Sequence, residues 1–324
     1  MKAVAVMHKG IEKISAEEIK ELSKAKAKKL IDGRLLFEIK NLKPLEKART
    51  IKALYKYITH FKFKKEEDIY KKAEKLKFDI KKDFVVRCKR EGKQAFGSQA
   101  VEVRLGEVIF EKGNKVNLKK PGTTIYVEII DNTCIIGVLY KKDMQKREYK
   151  VRLNSSSINA ALAAAIVRFA EVKKKHTVID PFCKDGVIPI EAALMGVKTV
   201  YAFDESLNNM KNTMVNAQVA KVKISVTKSE VDWIDTKFNK GEIDRIITNP
   251  PWPAKYKNKE EVAKTTKELF YQAKYVLKKD GLLVVITPKD ELIAKYAKEY
   301  GFKLKKQISV VVGESIYKGE AFKP

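Results

Sequence analysis

From residue 155 onward the chain alternates in a way that few folds satisfy. Short apolar runs at 176–180, 199–204, 223–227, 243–248, 282–287 and 302–312 are separated by helical stretches at 187–195, 207–219, 260–277 and 292–300. Strand-helix alternation with short connections predicts a doubly wound, Rossmann-like α/β sheet flanked by helices. Ahead of it, Ser155-Ser156-Ser157-Ile158-Asn159 opens a helix over 160–172 that is almost entirely Ala, Leu, Ile and Val, so it must be buried on most sides. In such sheets a ligand lies at the carboxyl ends of the strands, where the strand order reverses. That rule directs attention to four strand-end loops.

The run 243–248 is followed by Asn249-Pro250-Pro251-Trp252, and two prolines forbid its continuation as strand or helix. The rigid turn carries an amide, a carbonyl on a residue that donates no hydrogen bond, and an indole. A flat molecule bearing an amino group suits it: Asn249 and the Pro250 carbonyl accept N–H bonds while Trp252 stacks on the ring. At 180–186 neither the G-x-G-x-x-G of a dinucleotide site nor a P-loop is present, so the ligand there carries no phosphate. Asp180 is placed to attract an ammonium group. Asp204 and Glu205 follow the second strand, where a carboxylate takes ribose hydroxyls. Asp232 and Trp233 follow the third, for an adenine amino group and ring. Amino acid, ribose and adenine without phosphate describe S-adenosylmethionine.

The first half is organised differently. Residues 2–7 read as a strand, a helix is expected from Ser15 with Ser-Ala-Glu-Glu as its capping box, 35–39 is a second strand, and Leu45, Ala48, Ile51, Leu54 and Tyr57 predict a helix over 41–57. This gives a ferredoxin-like α+β unit at 1–64. A second unit at 65–141 opens with a lysine-rich helix, followed by a strand at 83–92, a helix at 101–110 and strands at 124–130 and 134–140. A charged stretch at 142–154 reads as a linker crossing the surface, and 155–324 is the Rossmann-like unit.

Of the 324 residues 68 are Lys or Arg against 41 Asp or Glu, a formal net charge of +27, which points to a polyanionic partner. Only nine of the basic residues are Arg, so phosphate contact is better supported than readout of base edges. Three scattered cysteines and three scattered histidines give no metal or disulfide framework. No apolar run reaches membrane-spanning length and no secretory leader precedes the first unit, so a cytoplasmic protein, monomeric and without metal, is expected.

Residues 84–92 (Phe-Val-Val-Arg-Cys-Lys-Arg-Glu-Gly), with Phe96, Ser98, Gly106, Val116-Asn117-Leu118, Pro121 and Cys134-Ile135-Ile136-Gly137-Val138, resemble the THUMP domain of tRNA-modifying enzymes. The resemblance implies a grip on the acceptor end of tRNA, with Arg87, Arg90, Lys93 and Ser98 as first candidates for contact. Ser157-Ile158-Asn159, Asp180-Pro181-Phe182-Cys183 with Gly186, Ile190-Glu191-Ala192, Asp204, Asp232 and Asn249-Pro250-Pro251-Trp252 resemble the motifs of class I methyltransferases. Nearly the whole chain is similar to the archaeal-type THUMP-containing tRNA (guanine-N2)-methyltransferases. The resemblance implies Asn159, Pro181, Phe182, Cys183 and Gly186 at the cofactor together with the carboxylates and Asn249. Asn249, Pro250 and Trp252 would serve the reaction. Two positions depart from the family's usual pattern: Lys184-Asp185 stands for a glycine and a small residue, and Pro253 for a glycine. Other readings of the same residues are an adenine-N6 or protein-amide methyltransferase, or a tRNA-binding protein whose second half no longer turns over.

Overall fold

The structure, a computed structural model, describes residues 1–252, 258–288 and 291–324. Its first half is built from β1 (Lys2–Val6), α1 (Glu12–Ser23), β2 (Ala27–Ile31), β3 (Arg34–Glu38), β4 (Ala53–Lys62), α2 (Glu67–Glu74), β5 (Phe84–Glu91), α3 (Ser98–Phe110), β6 (Thr123–Ile130) and β7 (Thr133–Lys141). All seven strands join one sheet in the order β2-β3-β1-β4-β7-β6-β5, in which only β5 and β6 pair in parallel.

The helix expected over 41–57 does not form. A 3-10 turn at Lys43–Lys47 gives way to the ten-residue β4. Leu54 packs into one core while Ala53 and Tyr55 pack into another on the opposite face. A strand buried on both faces yields a run of apolar residues instead of alternation, and chance spacing of such a run imitates a helix. β1 behaves in the same way, with Ala3 and Ala5 on one side and Val4 and Val6 on the other. α1 begins at Glu12, ahead of the expected start. Ser15 is buried inside it and receives the Thr50 hydroxyl at 2.9 Å instead of capping the helix.

The sheet is strongly curled. Arg34 on β3 and Glu128 on β6 are separated by four strand-to-strand steps, about 19 Å in a flat sheet at ~4.8 Å per step. Yet Arg34 Nε and Nη2 donate to the two Glu128 oxygens at 2.9 and 2.7 Å, and the Tyr55 hydroxyl adds a third bond at 2.9 Å. Both charges are almost fully buried, so the paired geometry offsets their loss of water.

The second half comprises α4 (Ala160–Phe169), β8 (Thr177–Asp180), α5 (Val187–Leu194), β9 (Thr199–Asp204), α6 (Leu207–Val219), β10 (Ser225–Lys228), β11 (Ile243–Thr248), α7 (Lys259–Val276), β12 (Leu277–Thr287), α8 (Glu291–Glu299), β13 (Lys303–Val312) and β14 (Ser315–Lys323). The sheet order is β10-β9-β8-β11-β12-β14-β13, parallel except for β14, which is antiparallel to both its neighbours. The order reverses between β8 and β11, where Arg245 pairs with Val178 and Ile246 with Ile179. Asp180 and Asn249 therefore leave the sheet side by side.

The two halves share one core. Ala3 and Ala5 of β1, with Met7, Leu45 and Leu54, join Leu162, Ala163, Ile166, Ile286, Val310 and Ala321. Gly10, at φ +102°, lies so near β13 that a Cβ there would fall 1.8 Å from the Ser309 carbonyl oxygen, which excludes any side chain. The stretch 142–154, expected to cross the surface, is instead pinned. Met144 and Tyr149 are buried, and the Met144 N–H donates to the Lys52 carbonyl at 2.9 Å. Its anchor is Glu191 on α5, fully buried, which accepts from Arg49, from Arg147 Nε at 2.9 Å and from the Tyr149 hydroxyl at 2.8 Å. Replacing Glu191 by Gln strands two guanidinium groups at this junction. Urea unfolding should show a loss of about 3–5 kcal/mol; a shift under ~1 kcal/mol would mean that the cluster does not hold the halves together.

Candidate active site

The loop that leaves β8 is tied down by its neighbours. Asp180, almost fully buried, accepts the Thr248 hydroxyl at 2.6 Å and the Phe182 N–H at 3.1 Å through Oδ1. The Cys183 N–H donates to the Phe203 carbonyl at 2.9 Å, and the Lys184 N–H to Asp204 Oδ2 at 3.0 Å. Lys184 adopts φ +55° and Gly186 φ +81°. The left-handed conformation at a lysine costs roughly 1–2 kcal/mol, and the bond to Asp204, with one from Thr213 Oγ1 to the Lys184 carbonyl at 3.0 Å, offsets it.

Asp204 is a hub. Oδ1 accepts from the Ser206 N–H at 3.0 Å and from Asn209 Nδ2 at 2.9 Å, while Oδ2 holds Lys184. It lines a cleft of about 300 Å³ with Pro181, Phe182, Lys184, Glu205, Asn209, Val231, Asp232 and Pro251. One face of α7 closes that cleft through Glu261, Lys264, Thr265 and Glu268. The sequence reading missed this face, although the i, i+4, i+7 spacing of Glu261, Thr265 and Glu268 marks it once the helix is known. Ser156, Ser229 and Glu230 also border the cleft and were not anticipated. Six carboxylates surround a small volume in a strongly cationic chain.

Several expected cofactor residues lie elsewhere. Trp233 is 57% exposed and does not line the cleft, whose apolar wall is Phe182, Val231 and Val262. Asn159 caps α4 by accepting the Ala161 N–H at 2.8 Å. Cys183 is buried against Thr213 Oγ1 at 3.4 Å. A Cβ on Gly186 would fall 2.7 Å from Thr213 Cγ2, so this glycine permits helix packing. Asp180 and Cys183 shape the loop from behind. Asp185 turns away from the cleft: it is fully buried, accepts the Ser157 hydroxyl, and has the Lys150 ammonium 3.1 Å from Oδ2.

Beside this cleft is a second, of about 370 Å³, bordered by Pro251, Trp252, Thr266, Thr287, Glu291 and Leu292. Pro251 and Val262 face both, so the Asn-Pro-Pro-Trp turn forms part of the partition. Asn249, only 2% exposed, donates through Nδ2 to the Ile286 carbonyl at 2.6 Å, which fixes its amide and leaves Oδ1 as the acceptor. Lys184 Nζ donates to that oxygen at 2.6 Å and lies 4.9 Å from the Trp252 ring centroid. Trp252 meets Tyr317 edge-on, with centroids 6.4 Å apart. Pro253 lies outside the described residues.

Among the RNA candidates, Arg87 reaches Glu102 at 3.3 Å, and Arg90 donates to Gln94 Oε1 at 3.0 Å with its guanidinium 5.9 Å from the Phe96 ring. Lys93 is exposed and Ser98 is the first residue of α3. The first three lie on or just beyond the edge strand β5.

Residues 147–318, more than half of the chain, match the family described as RMKL-like, methyltransferase domain. The chain belongs to this methyltransferase family. Residues 63–139 match the THUMP domain. A tRNA (guanine(6)-N2)-methyltransferase of Archaeoglobus fulgidus is 28% identical, over 92% of this chain and 86% of the relative. TrmN from Thermus thermophilus superposes with a TM-score of 0.81 at 23% identity, over 99% of both chains. SMU.472, solved in complex with SAH, has the same TM-score at 16% identity, over 99% of this chain and 97% of the other. These two structures bear out the class I methyltransferase fold.

Burial raises the Asp180 carboxyl to about pH 7 despite its bond from Thr248. Its unfolded value is near 3.8. Between these values the folded protein keeps a proton that the unfolded chain has released, so this group's contribution to stability falls as pH rises and levels off above about 7. Asp180→Asn removes the titration. Its melting temperature relative to the parent should rise from pH 4 to pH 8; a constant difference would mean that Asp180 ionises normally.

Proposed function

We propose that the protein transfers a methyl group from S-adenosylmethionine to the exocyclic N2 of a guanosine in tRNA. The observation that carries this reading is the fixed amide of Asn249, whose Nδ2 is held by the Ile286 carbonyl so that Oδ1 is the acceptor, at the start of the turn whose Pro251 borders both clefts. The donor and acceptor set of the first cleft fits the cofactor. Asp204 and Glu205 suit ribose hydroxyls, Asp232 suits the adenine amino group with Phe182 and Val231 against the ring, and the ring of carboxylates suits a sulfonium and an ammonium. No phosphate-binding loop competes for the site. S-adenosylmethionine supplies there an electrophilic methyl group.

The chain's own residues would align the nucleophile. The N2 lone pair of guanine is delocalised into the ring and is a weak nucleophile. Asn249 Oδ1 and the Pro250 carbonyl would each accept one N–H, so that the nitrogen pyramidalises and its lone pair points towards the cofactor cleft. No strong base is needed, since the proton becomes acidic as the new bond forms. Alignment of this kind is worth up to roughly 7–11 kcal/mol. The second cleft would receive the flipped base, and stacking on Trp252 would offset part of the few kcal/mol lost on unstacking.

The tRNA assignment draws on the relative from Archaeoglobus fulgidus, the THUMP match and the +27 charge. Arg87, Arg90, Lys93 and Ser98 are the proposed contacts to its backbone. No helix among the described residues is long and apolar enough to cross a membrane, and these residues hold no cluster of three or more metal-ligating side chains. A cytoplasmic, monomeric enzyme accords with the reading.

With labelled S-adenosylmethionine and tRNA, mass spectrometry of the digested nucleosides should find N2-methylguanosine. Asn249→Ala should lower turnover by about 10²–10³-fold, the scale for loss of one positioned hydrogen-bonding group, with little change in calorimetric affinity for the cofactor. Unchanged turnover would overturn the assignment.

A further inference from the structure

Asp204, Asn209, Asn154, Ser156 and Lys184 form a closed ring of hydrogen bonds at the first cleft. Asp204 Oδ1 accepts Asn209 Nδ2 at 2.9 Å, and Asn209 Oδ1 accepts Asn154 Nδ2 at 2.9 Å. Asn154 Oδ1 in turn accepts the Ser156 N–H at 2.9 Å and the Ser156 hydroxyl at 2.7 Å. Lys184 closes the ring, donating its N–H to Asp204 Oδ2 at 3.0 Å and its ammonium to the Ser156 carbonyl at 3.1 Å. Asn209 must turn its nitrogen to the carboxylate, which leaves its oxygen for Asn154. Four of these residues line the cleft, and Asn154 reaches it only through Asn209. Asn154 ends the segment that joins the two halves. Its approach to α6 is set by Asn216, two turns from Asn209 on the same helix face, which accepts the Arg152 N–H at 2.9 Å and donates to the Arg152 carbonyl at 2.8 Å.

We propose that Asn154 is a positioning residue for the cofactor's ribose: it holds the Asn209 amide against Asp204 and so fixes the plane of that carboxylate. The inference rests on the assignment of Asp204 to the ribose. The terminal torsion of an aspartate is broad, so its carboxylate plane is set by its hydrogen bonds. On Asp204, Oδ1 takes the Ser206 N–H and Asn209, and Oδ2 takes the Lys184 N–H. A carboxylate offers about four acceptor positions, so the one left by the described residues is on Oδ2. Its direction follows the carboxylate plane. Ser206 and Lys184 hold that plane through main-chain groups, whereas Asn209 holds it through a side chain that Asn154 must orient. Without that donor, the Asn209 amide can swing away from Asp204 and the remaining lone pair no longer meets a ribose hydroxyl squarely.

The test measures calorimetric affinity for S-adenosylhomocysteine and for its 2′,3′-dideoxy analogue, which lacks the ribose hydroxyls, in the full-length parent, Asn154→Ala and Asn154→Asp. Asn154→Ala should weaken S-adenosylhomocysteine about three- to tenfold, the scale of one hydrogen bond. Affinity for the dideoxy analogue should stay the same, so the ratio between the two ligands shrinks by that factor. Asn154→Asp keeps the oxygen that receives Ser156 but replaces the donor to Asn209 by a second acceptor. It should lose at least as much ribose discrimination as Asn154→Ala. An equal loss on both ligands would make Asn154 a brace for the loop and overturn the inference. Parent-like discrimination in either variant overturns it too. A parent that binds both ligands equally would instead overturn the assignment of Asp204 to the ribose.

Discussion

The geometry of the whole molecule depends on a buried carboxylate. Glu191 belongs to the helix that follows the loop leaving β8, yet its partners come from the first half (Arg49) and from the connection between the halves (Arg147 and Tyr149). A carboxylate without water is tolerable only with such partners. The cluster therefore fixes where the connecting segment crosses and how α5 sits against the first sheet. Because α5 starts directly after the loop of Lys184 and Gly186, the placement of the first half and the shape of the cleft are set by neighbouring residues.

Charge is divided between the chain as a whole and the first cleft. The chain as a whole is strongly cationic, but the first cleft is lined by Asp204, Glu205, Glu230, Asp232, Glu261 and Glu268. A polyanion drawn to the outer surface meets opposing charge at this opening. A neutral base can enter the neighbouring cleft while its backbone stays outside, and a cationic cofactor is favoured in the carboxylate-lined space. On the proposed reading, separation by sign keeps a phosphate chain out of the cleft assigned to a sulfonium.

How much of this could be read in advance follows from the kind of signal involved. The second sheet was legible because each strand is a compact apolar run and each helix begins soon after it; β11 and α6 have the bounds read from the sequence. β14 was missed because Ser315–Lys323 is broken by Lys318, Gly319 and Glu320 and is buried only towards its end. β2 and β4 were missed or misread for opposite reasons, one lysine-bearing and without a buried residue, the other apolar on both faces where it begins. At the site, Asp204, Asp232 and Asn249 follow from the rule that ligands meet strand ends. The same rule says nothing of the wall supplied by α7 or of a lysine side chain that crosses from one loop to the next, because these depend on packing between distant segments.

The continuous first sheet also bears on what can be exchanged as a part. β4 is hydrogen-bonded on one side to β1 and on the other to β7, so the ladder has no seam between the strands ahead of residue 63 and the portion that matches THUMP. Cutting there would expose two new strand edges and open the buried Arg34–Glu128 pair. The transferable piece is then the entire curled sheet. Grafting the THUMP-matching portion onto another catalytic domain would require carrying β1 to β4 with it, and the Arg49 anchor as well.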